Sequence, residues 1–536
     1  MKKIMITGLL VLSSVVFIHA QKADYIPKYP KSGNGFYMLS PEESPRPRIN
    51  GASVFGVRPG KVFLYTIPAT GERPMTFSAL GLPKGLTLDS KTGIISGKIE
   101  NMAHKDYKVT FKAKNHKGNA SKKFVIKVGK EICLTPPLGW NSWNSWARRN
   151  SQERMLNSAR AMISKGLANY GFSYVNLDGN WQGNTRGGKY NSLEADPKRF
   201  TDMQAMFDEI HALGLKCGIY ATPWVTSFAG GIGGSTNDKD QVWNNSMVDP
   251  KGTKMANSVW RRVGKYSYAA QDVKQWMEWG IDYLKYDWTP HDEKSLLEMA
   301  DLLENSERDV IYSISNTLEL SHAELAKTRL NVWRSGGDIK DHWIHPTRKR
   351  GGSLLAAWIN QREWQEKGFR GAPGHFPDPD MLIVGDVNSS SIGPRLEPTL
   401  LTPDEQYTHI SLWTLWAAPM LIGCPIDYMN SFTLNLFKNY ELIDIHQDSK
   451  AIPGITVYDK DGLEVVVRDL SDGSKAIGLF NKNETEQVVK MDWKTVGLSE
   501  GPKKFRDVWR HKDIGTFENS FSASVRPHGT VLLRVK

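Results

Sequence analysis

Between about residues 134 and 430, short apolar segments alternate with segments of helical periodicity, and this alternation limits the folds that the chain can adopt. Helix-period segments such as Gln152–Lys165, Met203–Leu213 and Ala269–Trp279 separate eight candidate strands. The strands are Leu138–Trp143, Tyr174–Asp178, Lys216–Ala221, Tyr283–Asp287, Val310–Ser315, Asn331–Ser335, Met381–Val384 and Leu415–Ile422. Eight strand–helix units over about 300 residues predict an α/β fold, a (β/α)8 TIM barrel within residues 131–432. A doubly wound open sheet alternates in the same way, but no glycine-rich phosphate loop opens any of these helices.

Strand patterns without helices flank the barrel region on both sides. In residues 49–130, Tyr107, Phe111 and Ala113 alternate with lysines, which is the period-2 pattern of a strand with one buried face. Past residue 450, Asp-Gly pairs at 461–462 and 472–473 predict hairpin turns. The sequence therefore predicts a β-sandwich over 49–130 and a C-terminal antiparallel β-sandwich over 433–536.

The first 20 residues have the three-part pattern of a secretory signal peptide. Lys2 and Lys3 precede an apolar run over residues 4–18, and Ala20 is a small residue before the expected cleavage point. The run is too short for a membrane span; an anchor that stays attached is the alternative. We expect export to the periplasm or the cell exterior, with the proline-rich residues 21–48 as a linker or an extended arm.

Cysteine and charge usage exclude several classes of protein. Three widely spaced cysteines, at 133, 217 and 424, form neither a metal-binding motif nor an obvious disulfide framework. The formal net charge of +12 is modest for 536 residues, and a dedicated nucleic-acid binder is not expected. Residues 101–130 nevertheless hold nine lysines and one acid. They predict either a solvated sheet face or a weak contact with an acidic glycan or the cell envelope.

Carboxylates stand at the ends of several predicted barrel strands, where catalytic groups of such barrels lie. These are Asp178, Asp287, Asp338, Asp378 and Asp380. Alternation places Lys285 on the same strand face as Asp287, where its ammonium should favour an ionised carboxylate. Asp338 follows two glycines and could hold a proton at neutral pH. Two carboxylates with divided roles can cleave a glycosidic bond, although a strand-end Asp can equally be a helix cap.

Several motifs, in order, resemble glycoside hydrolase family 27 of clan D, the retaining α-galactosidase family. They are Leu138-Gly139-Trp140-Asn141-Ser142-Trp143, Leu284-Lys285-Tyr286-Asp287, Trp333-Arg334 with Asp338, Asp378-Pro379-Asp380-Met381-Leu382, and Ser411-Leu412-Trp413 with Ala417-Ala418-Pro419. Residues 82–97 resemble the immunoglobulin-like module that is often fused to bacterial surface enzymes. The family resemblance covers about residues 134–430 and the C-terminal sheet domain.

The resemblance implies a role for each matching position. Asp287 matches the nucleophile and Asp338 the acid/base of a two-step retaining mechanism. Trp140 matches the aromatic floor under the sugar. Sugar-contacting positions are matched by Asp178, Tyr220, Lys285, Arg334 and Asp380. No metal or organic cofactor is implied, and the expected partner is an oligosaccharide or polysaccharide, with neither nucleic acid nor a membrane span after signal cleavage.

Three positions depart from the family pattern, so the sugar is left open. Gly179 stands where relatives carry a second acid for the 4- and 6-hydroxyls, and Ser315 where α-galactosidases tend to have a Glu near the 2-hydroxyl. Trp224 lines a different substrate wall or packs under its loop. We expect an α-galactosidase; the alternatives are α-N-acetylgalactosaminidase, β-L-arabinopyranosidase or isomalto-dextranase specificity with the same mechanism. A glycan-binding protein without catalysis is the third possibility.

Overall fold

The computed structural model describes residues 23–30, 35–237, 261–348, 351–388 and 395–536, which form three units. The N-terminal unit is a β-sandwich with sheets of strand order β1-β7-β6-β3 and β2-β5-β4. Its strands are β1 Val54–Val57, β2 Val62–Thr66, β3 Thr76–Leu80, β4 Leu86–Leu88, β5 Ile94–Lys98, β6 Lys105–Asn115 and β7 Gly118–Val128. The inward residues of both sheets form a separate core, in which the Phe111 and Phe124 rings lie 4.5 Å apart.

The central unit is the predicted (β/α)8 barrel. Eight parallel strands are ordered β15-β8-β9-β10-β11-β12-β13-β14, and a parallel bridge between Leu382 and Ile422 links the two ends. The strands are β8 Leu138–Asn141, β9 Tyr174–Leu177, β10 Lys216–Ala221, β11 Tyr283–Asp287, β12 Ile311–Ser315, β13 Val332–Arg334, β14 Phe376–Asp378 and β15 Met420–Ile422. The barrel and the flanking β-units are confirmed.

Helices cover the outside of the barrel. They are α1 Gln152–Ser164, α2 Met203–Ala212, α3 Ala269–Trp279, α4 Glu293–Glu304, α5 Ala323–Arg329, α6 Leu354–Glu366, α7 Pro403–Leu415, α8 Ser431–Phe437 and α9 Tyr440–His446. Polar caps define where several of them begin; at α7, Thr402 and Glu405 form a reciprocal capping box. Within the described ranges, no helix is both long and apolar enough to cross a bilayer.

Strand alternation decides which side chains enter the barrel. Tyr283 and Ile311 belong to an interior layer with Val332, Met381 and Leu421. The residues that alternate with the inward ones along each strand, such as Leu284 and Ile314, pack outward against the helices. A Cβ at Gly218 would lie 2.0 Å from Oδ1 of Asn176, so a larger residue there would force the Asn176 side chain to move. The upper interior, towards the carboxyl ends of the strands, is polar.

Two predicted strands were placed wrongly. The seventh strand is Phe376–Asp378, and the apolar residues 381–384 follow it in the loop. Residue 415 ends helix α7, and only Met420–Ile422 of the predicted eighth strand pairs with β8. Continuous apolar runs fit a buried helix and a buried strand equally well, so their hydrophobicity alone could not separate the two.

The C-terminal unit is an antiparallel β-sandwich. One sheet has the order β16-β17-β18-β23-β20-β21, and a two-stranded sheet pairs β19 with β22. The strands are β16 Ile455–Lys460, β17 Leu463–Asp469, β18 Lys475–Asn481, β19 Gln487–Asp492, β20 Lys503–Asp507, β21 Lys512–Phe517, β22 Ser520–Val525 and β23 Thr530–Val535. Strands β17, β18 and β23 contact helix α7 of the barrel.

The N-terminal sandwich docks on the end of the barrel where the strands begin. Thr66 Oγ1 donates a hydrogen bond to the carbonyl of Gly214, just before β10, and the Arg58 amide donates to Asp309, just before β12. Asn50 donates to the carbonyl of Asn169, which precedes β9. The sandwich is therefore at the opposite end from the carboxyl ends of the strands.

The described part of the segment before the sandwich is an extended arm, one of the two predicted alternatives. The Ser522 amide donates a 2.8 Å hydrogen bond to Asp24, and Tyr25 donates through its hydroxyl to Asp507. Further along, Tyr37 stacks on Tyr407 of α7, with ring centroids 5.5 Å apart. The arm thus runs from the C-terminal sandwich across the barrel.

Candidate active site

The carboxyl ends of the barrel strands bring the predicted acidic residues to one mouth. Asp287 is the last residue of β11, and Asp178 directly follows β9. Asp338 and Asp380 follow β13 and β14 in the loops. Asp287 and Asp178 continue the inward-pointing series of their strands, so their side chains face the barrel axis. The arrangement matches the place where catalytic groups lie in such barrels.

Lys285 contacts Asp178 rather than standing free beside Asp287. Its ammonium is 2.7 Å from Oδ2 of Asp178, and both side chains are largely buried. Burial raises the pKa of Asp287 to about 6; the Lys285 charge lowers it, while the Asp178 and Asp338 charges raise it. Lys285 therefore favours the ionised form of Asp287, as expected, but burial and two neighbouring carboxylates outweigh this shared ammonium.

Asp338 has the opposite environment. Its side chain is 69% exposed, and Arg334 Nη2 lies 3.3 Å from its Oδ1. The crowded cleft alone would raise the pKa of Asp338, but the Arg334 guanidinium outweighs this effect and holds the pKa below the usual range. In the sugar-free protein the Arg334 charge therefore favours the ionised form of Asp338.

Arg334 joins the two loops that carry Asp338 and Asp380. Its Nη1 lies 3.1 Å from Oδ1 of Asp380. Asp380 also accepts hydrogen bonds from the amides of Ile339 and Met381. With these three donors, the carboxylate of Asp380 fixes the two loops relative to each other, in addition to its predicted sugar contact.

Asn316 is a site residue that the sequence analysis missed. Its Nδ2 donates to Oδ1 of Asp287 at 2.5 Å. The residue follows β12 in the left-handed region, with φ of 65°, which Asn tolerates better than most residues. The neighbouring carbonyl of Ser315 contacts Nε2 of His291 at 3.1 Å, and His291 is paired with Glu319. This network holds the loop that presents Asn316 to Asp287.

Trp140 is wrongly predicted as the floor under a sugar. It is fully buried, and its Nε1 donates to Ser145 and to the carbonyl of Cys424. Because Asn141 points into the barrel, Trp140 must point outward into the helix layer. Trp143, beyond the strand end, is only partly buried and packs against the interior layer of Met381 and Leu421. Trp143 is therefore an aromatic residue at the mouth.

The remaining predicted positions line the lower part of the site. Ser315 is paired in register with Asp287 and is 4% exposed. A cavity of about 10 Å³, lined by Lys285, Ser315, Arg334 and other residues, has room for about one water and none for a sugar ring. Tyr220 is buried nearby, where the charge of Asp287 adds to burial in raising the pKa of its hydroxyl. A sugar must therefore lie above this cavity.

Two of the positions that depart from the family pattern have clear surroundings. Trp224 is 4% exposed and packs on Phe228, with ring centroids 4.7 Å apart, so it packs under its loop. Gly179 has ordinary backbone geometry, and a Cβ there would lie 3.4–3.5 Å from the Tyr220 ring, an ordinary contact. Glycine is therefore not required at position 179 by the fold.

One group of potential metal ligands lies elsewhere. His211, Cys217 and Asp282 offer ligand atoms within 4.8 Å of one another near the beginnings of β10 and β11. Asp282 is already contacted by His211 and Arg308 at 2.9 and 2.7 Å, and it accepts the Cys217 amide. These bonds explain the cluster as an ion-pair network that ties the barrel strands together.

Comparison with known proteins identifies the relatives of all three units. A family model described as alpha galactosidase A matches residues 135–253 and 247–448. The alpha galactosidase C-terminal beta sandwich domain matches residues 460–535, and an Ig domain model matches residues 46–129.

Individual relatives agree with these matches. The chain is 31% identical to an alpha-galactosidase of Oryza sativa over 74% of this chain and 83% of that protein. It is 32% identical to an alpha-galactosidase of Coffea arabica over 74% of this chain and 92% of the other. A Bacteroides fragilis structure, provisionally assigned as an alpha-galactosidase/melibiase, is 31% identical with a TM-score of 0.79 and covers 92% of this chain and 98% of its own.

Proposed function

The chain belongs to glycoside hydrolase family 27, the α-galactosidase family, and from this premise we propose that it is a retaining exo-glycosidase that releases terminal α-D-galactosyl residues from oligosaccharides or polysaccharides. The observation that carries the proposal is the pair of carboxyl groups at the barrel mouth, Asp287 buried and Asp338 open to the cleft. Two carboxyl groups in unlike environments can take the two roles that glycoside cleavage needs.

The proposed reaction has two displacements. In the first, a carboxylate oxygen of Asp287 attacks the anomeric carbon, the bond to the leaving oxygen breaks, and Asp338 gives that oxygen its proton. In the second, Asp338 takes a proton from water, the water oxygen bonds to the anomeric carbon, and the ester to Asp287 breaks. The sugar leaves with its configuration retained, and Asp338 again holds the proton.

Sugar binding would supply the protonation state that the free protein disfavours. Filling the cleft removes water from the exposed carboxylate of Asp338, which favours its neutral form. Asp287 keeps the Asn316 hydrogen bond, which favours its ionised form. The proton therefore shifts from Asp287 to Asp338 as the site closes around the sugar.

A panel of nitrophenyl glycosides tests the function and separates the alternatives. The expected substrate is the α-D-galactoside, with α-N-acetylgalactosaminide, β-L-arabinopyranoside and α-glucoside as competitors. Release of nitrophenol from one of the competitors alone would replace the proposed sugar. Silence on all of them, with glycan binding intact, would favour a binding protein without catalysis.

Gly179 is the observation that favours a β-L-arabinopyranoside as the alternative substrate. This sugar has the ring of an α-D-galactoside without the hydroxymethyl group, so it lacks the 6-hydroxyl, one of the two hydroxyls assigned to the acid that Gly179 replaces. Gly179→Asp is expected to raise the kcat/KM ratio of galactoside over arabinopyranoside at least about 10-fold, the size of one charge-assisted hydrogen bond. Gly179→Asn is the matched control and should change the ratio less. An unchanged ratio with Asp would place the hydroxymethyl group elsewhere.

The pH dependence of kcat/KM follows from the shared proton. The productive form, with Asp287 ionised and Asp338 protonated, holds one proton on the pair, as does the form that dominates between the two pKa values. We expect kcat/KM to be highest below pH 6 and to fall about 10-fold per pH unit above it, because Asp287 has a pKa of about 6. Burial also raises the pKa of Asp378 to about 6, so this carboxyl group could produce a similar fall in kcat/KM. Asp378→Asn is therefore the control, and its kcat/KM should still fall above pH 6. An alkaline limb above pH 8 would contradict the assignment.

Asn316→Gly tests the amide that holds the nucleophile. Glycine tolerates the positive φ at this position, so the variant removes the amide without straining the loop. Losing a hydrogen bond to the charged carboxylate should lower kcat/KM by about 10- to 100-fold. It should also raise the pKa of Asp287 and move the alkaline limb upward. A purely structural role would leave the limb in place.

Export is part of the proposal. The basic and apolar segment over residues 1–20 supports removal of a signal peptide and release into the periplasm or the medium. The protein recovered from those fractions should begin at Gln21. An intact Met1 in membrane-bound protein would instead indicate a retained anchor.

A further inference from the structure

Five lysines lie side by side on the outer surface of the N-terminal sandwich. Lys108, Lys112 and Lys114 extend from β6, and Lys123 and Lys127 from β7; all five are exposed. The residues that alternate with them, including Phe111 and Phe124, point into the sandwich core. Since β6 and β7 are paired, the lysines share one face of the sheet. We call this surface the lysine face.

The lysine face has almost no counter-charge. In the strand register, Lys108 is opposite Val125, Lys112 opposite Ser121, and Lys114 opposite Asn119. Across the described residues, none of the five forms a salt bridge, and only Lys127 has an acid, Asp106, opposite it. Protein surfaces ordinarily mix charges of both signs, because clustered like charges repel one another. A partner with negative charge would relieve that repulsion.

The face is available while the barrel works. Contacts between the sandwich and the barrel include those of Asn50, Arg58 and Thr66, and none of the recorded contacts of the five lysines reaches the barrel. They lie at the end of the barrel where the strands begin, and the candidate active site is at the opposite end. A partner on the lysine face would therefore leave the mouth open to substrate.

We propose that the lysine face docks the protein on a bilayer containing anionic phospholipid. The outward residues of β6 and β7 include no aromatic ring on which a sugar could stack, and the paired strands form a sheet rather than a groove. Lysine ammonium groups are compact charges that suit phosphate. Leu80, on edge strand β3 opposite Thr110, is 59% exposed and can enter the headgroup region beside them. Charge and shape together favour a lipid surface over a polysaccharide chain.

Cosedimentation of the mature full-length protein with vesicles tests the proposal. Vesicles of phosphatidylcholine with 30% phosphatidylglycerol should bind the protein, and pure phosphatidylcholine vesicles should not, at a fixed ionic strength of about 0.1 M. Each lysine near an anionic surface is worth about fivefold in affinity. The triple variant K112Q/K114Q/K123Q should therefore bind about 100-fold more weakly.

A second triple variant controls for total charge. K460Q/K490Q/K512Q removes three exposed lysines from the C-terminal sandwich and should bind like the parent. Equal losses in both triples would mean that only net charge matters, and the proposal would fail. Binding to polygalacturonate without binding to vesicles would replace the lipid by an acidic polysaccharide, and binding to neither would make the face merely solvated. Unchanged hydrolysis of an aryl glycoside shows that each variant is folded.

Discussion

Asp287→Gly is expected to lower kcat by at least about 10⁴-fold, because the variant removes the group that would bond to the anomeric carbon. The lost carboxylate leaves space in which azide can act as the nucleophile. On nitrophenyl α-galactoside, azide should restore turnover and give β-galactosyl azide, since a single displacement inverts the anomeric carbon. The product's configuration, measured by NMR, identifies the role of residue 287.

The same variant has a matched control and a clear contrary result. Asp378→Asn alters another buried carboxyl group of the barrel whose pKa is also raised to about 6, and it should keep most of the activity. If Asp287→Gly retains a tenth of the parent's kcat, Asp287 cannot form the ester. A product with retained configuration in azide would assign the acid/base role to this position instead.

Asp338→Gly is expected to separate substrates by their leaving groups. Loss of a general acid typically costs 10²- to 10⁴-fold, so hydrolysis of a natural oligosaccharide should fall by about 10³-fold. A dinitrophenyl galactoside needs no proton on its leaving oxygen and should still form the ester. Its hydrolysis should then stall, because no base activates water, and a burst of one dinitrophenol per enzyme should appear.

Azide should release the stalled ester and give α-galactosyl azide, the opposite anomer from the Asp287 variant. Arg334 contacts Asp338 as well as Asp380, so Asp338→Asn, which keeps a polar group near Arg334, checks that the loop is undisturbed. Equal losses for good and poor leaving groups would remove Asp338 from the role of acid/base.

The place of the acidic residues could be predicted because it depends only on local pattern. Asp178 and Asp287 end apolar segments, and the ends of parallel barrel strands meet at one mouth. The partners of these acids depend on neighbouring strands and loops that lie far apart in sequence. Lys285 bonds to Asp178 at a separation of 107 residues, and this register is not visible in either segment alone.

Trp140 and Asn316 show two different reasons for error. The position of Trp140 could have been predicted from the alternation of side chains along β8. The polar Asn141 points into the barrel, so its neighbour Trp140 must point outward. The sequence gives no comparable indication for Asn316. Its contact with Asp287 depends on the left-handed backbone conformation that Asn316 adopts after β12. Loop conformation of this kind is decided by surrounding contacts such as the His291–Glu319 pair.

The directions of the pKa shifts of the site carboxylates could not be predicted from the sequence pattern either. Sequence places a lysine near Asp287, but it does not tell how deeply the carboxylate is buried or that Asp178 takes the ammonium. Burial and distance decide which charge prevails, and both are properties of the assembled barrel.

The extended arm has a consequence for the order in which the protein can be completed. Residues 24 and 25 are held by Asp507 and Ser522, which leave the ribosome 482 and 498 residues after their respective partners. This first part of the arm can therefore take its final position only after residues 507 and 522 have been synthesised. A chain that stops before residue 507 would keep the stack of Tyr37 on Tyr407 but would lose the contacts that hold residues 24 and 25.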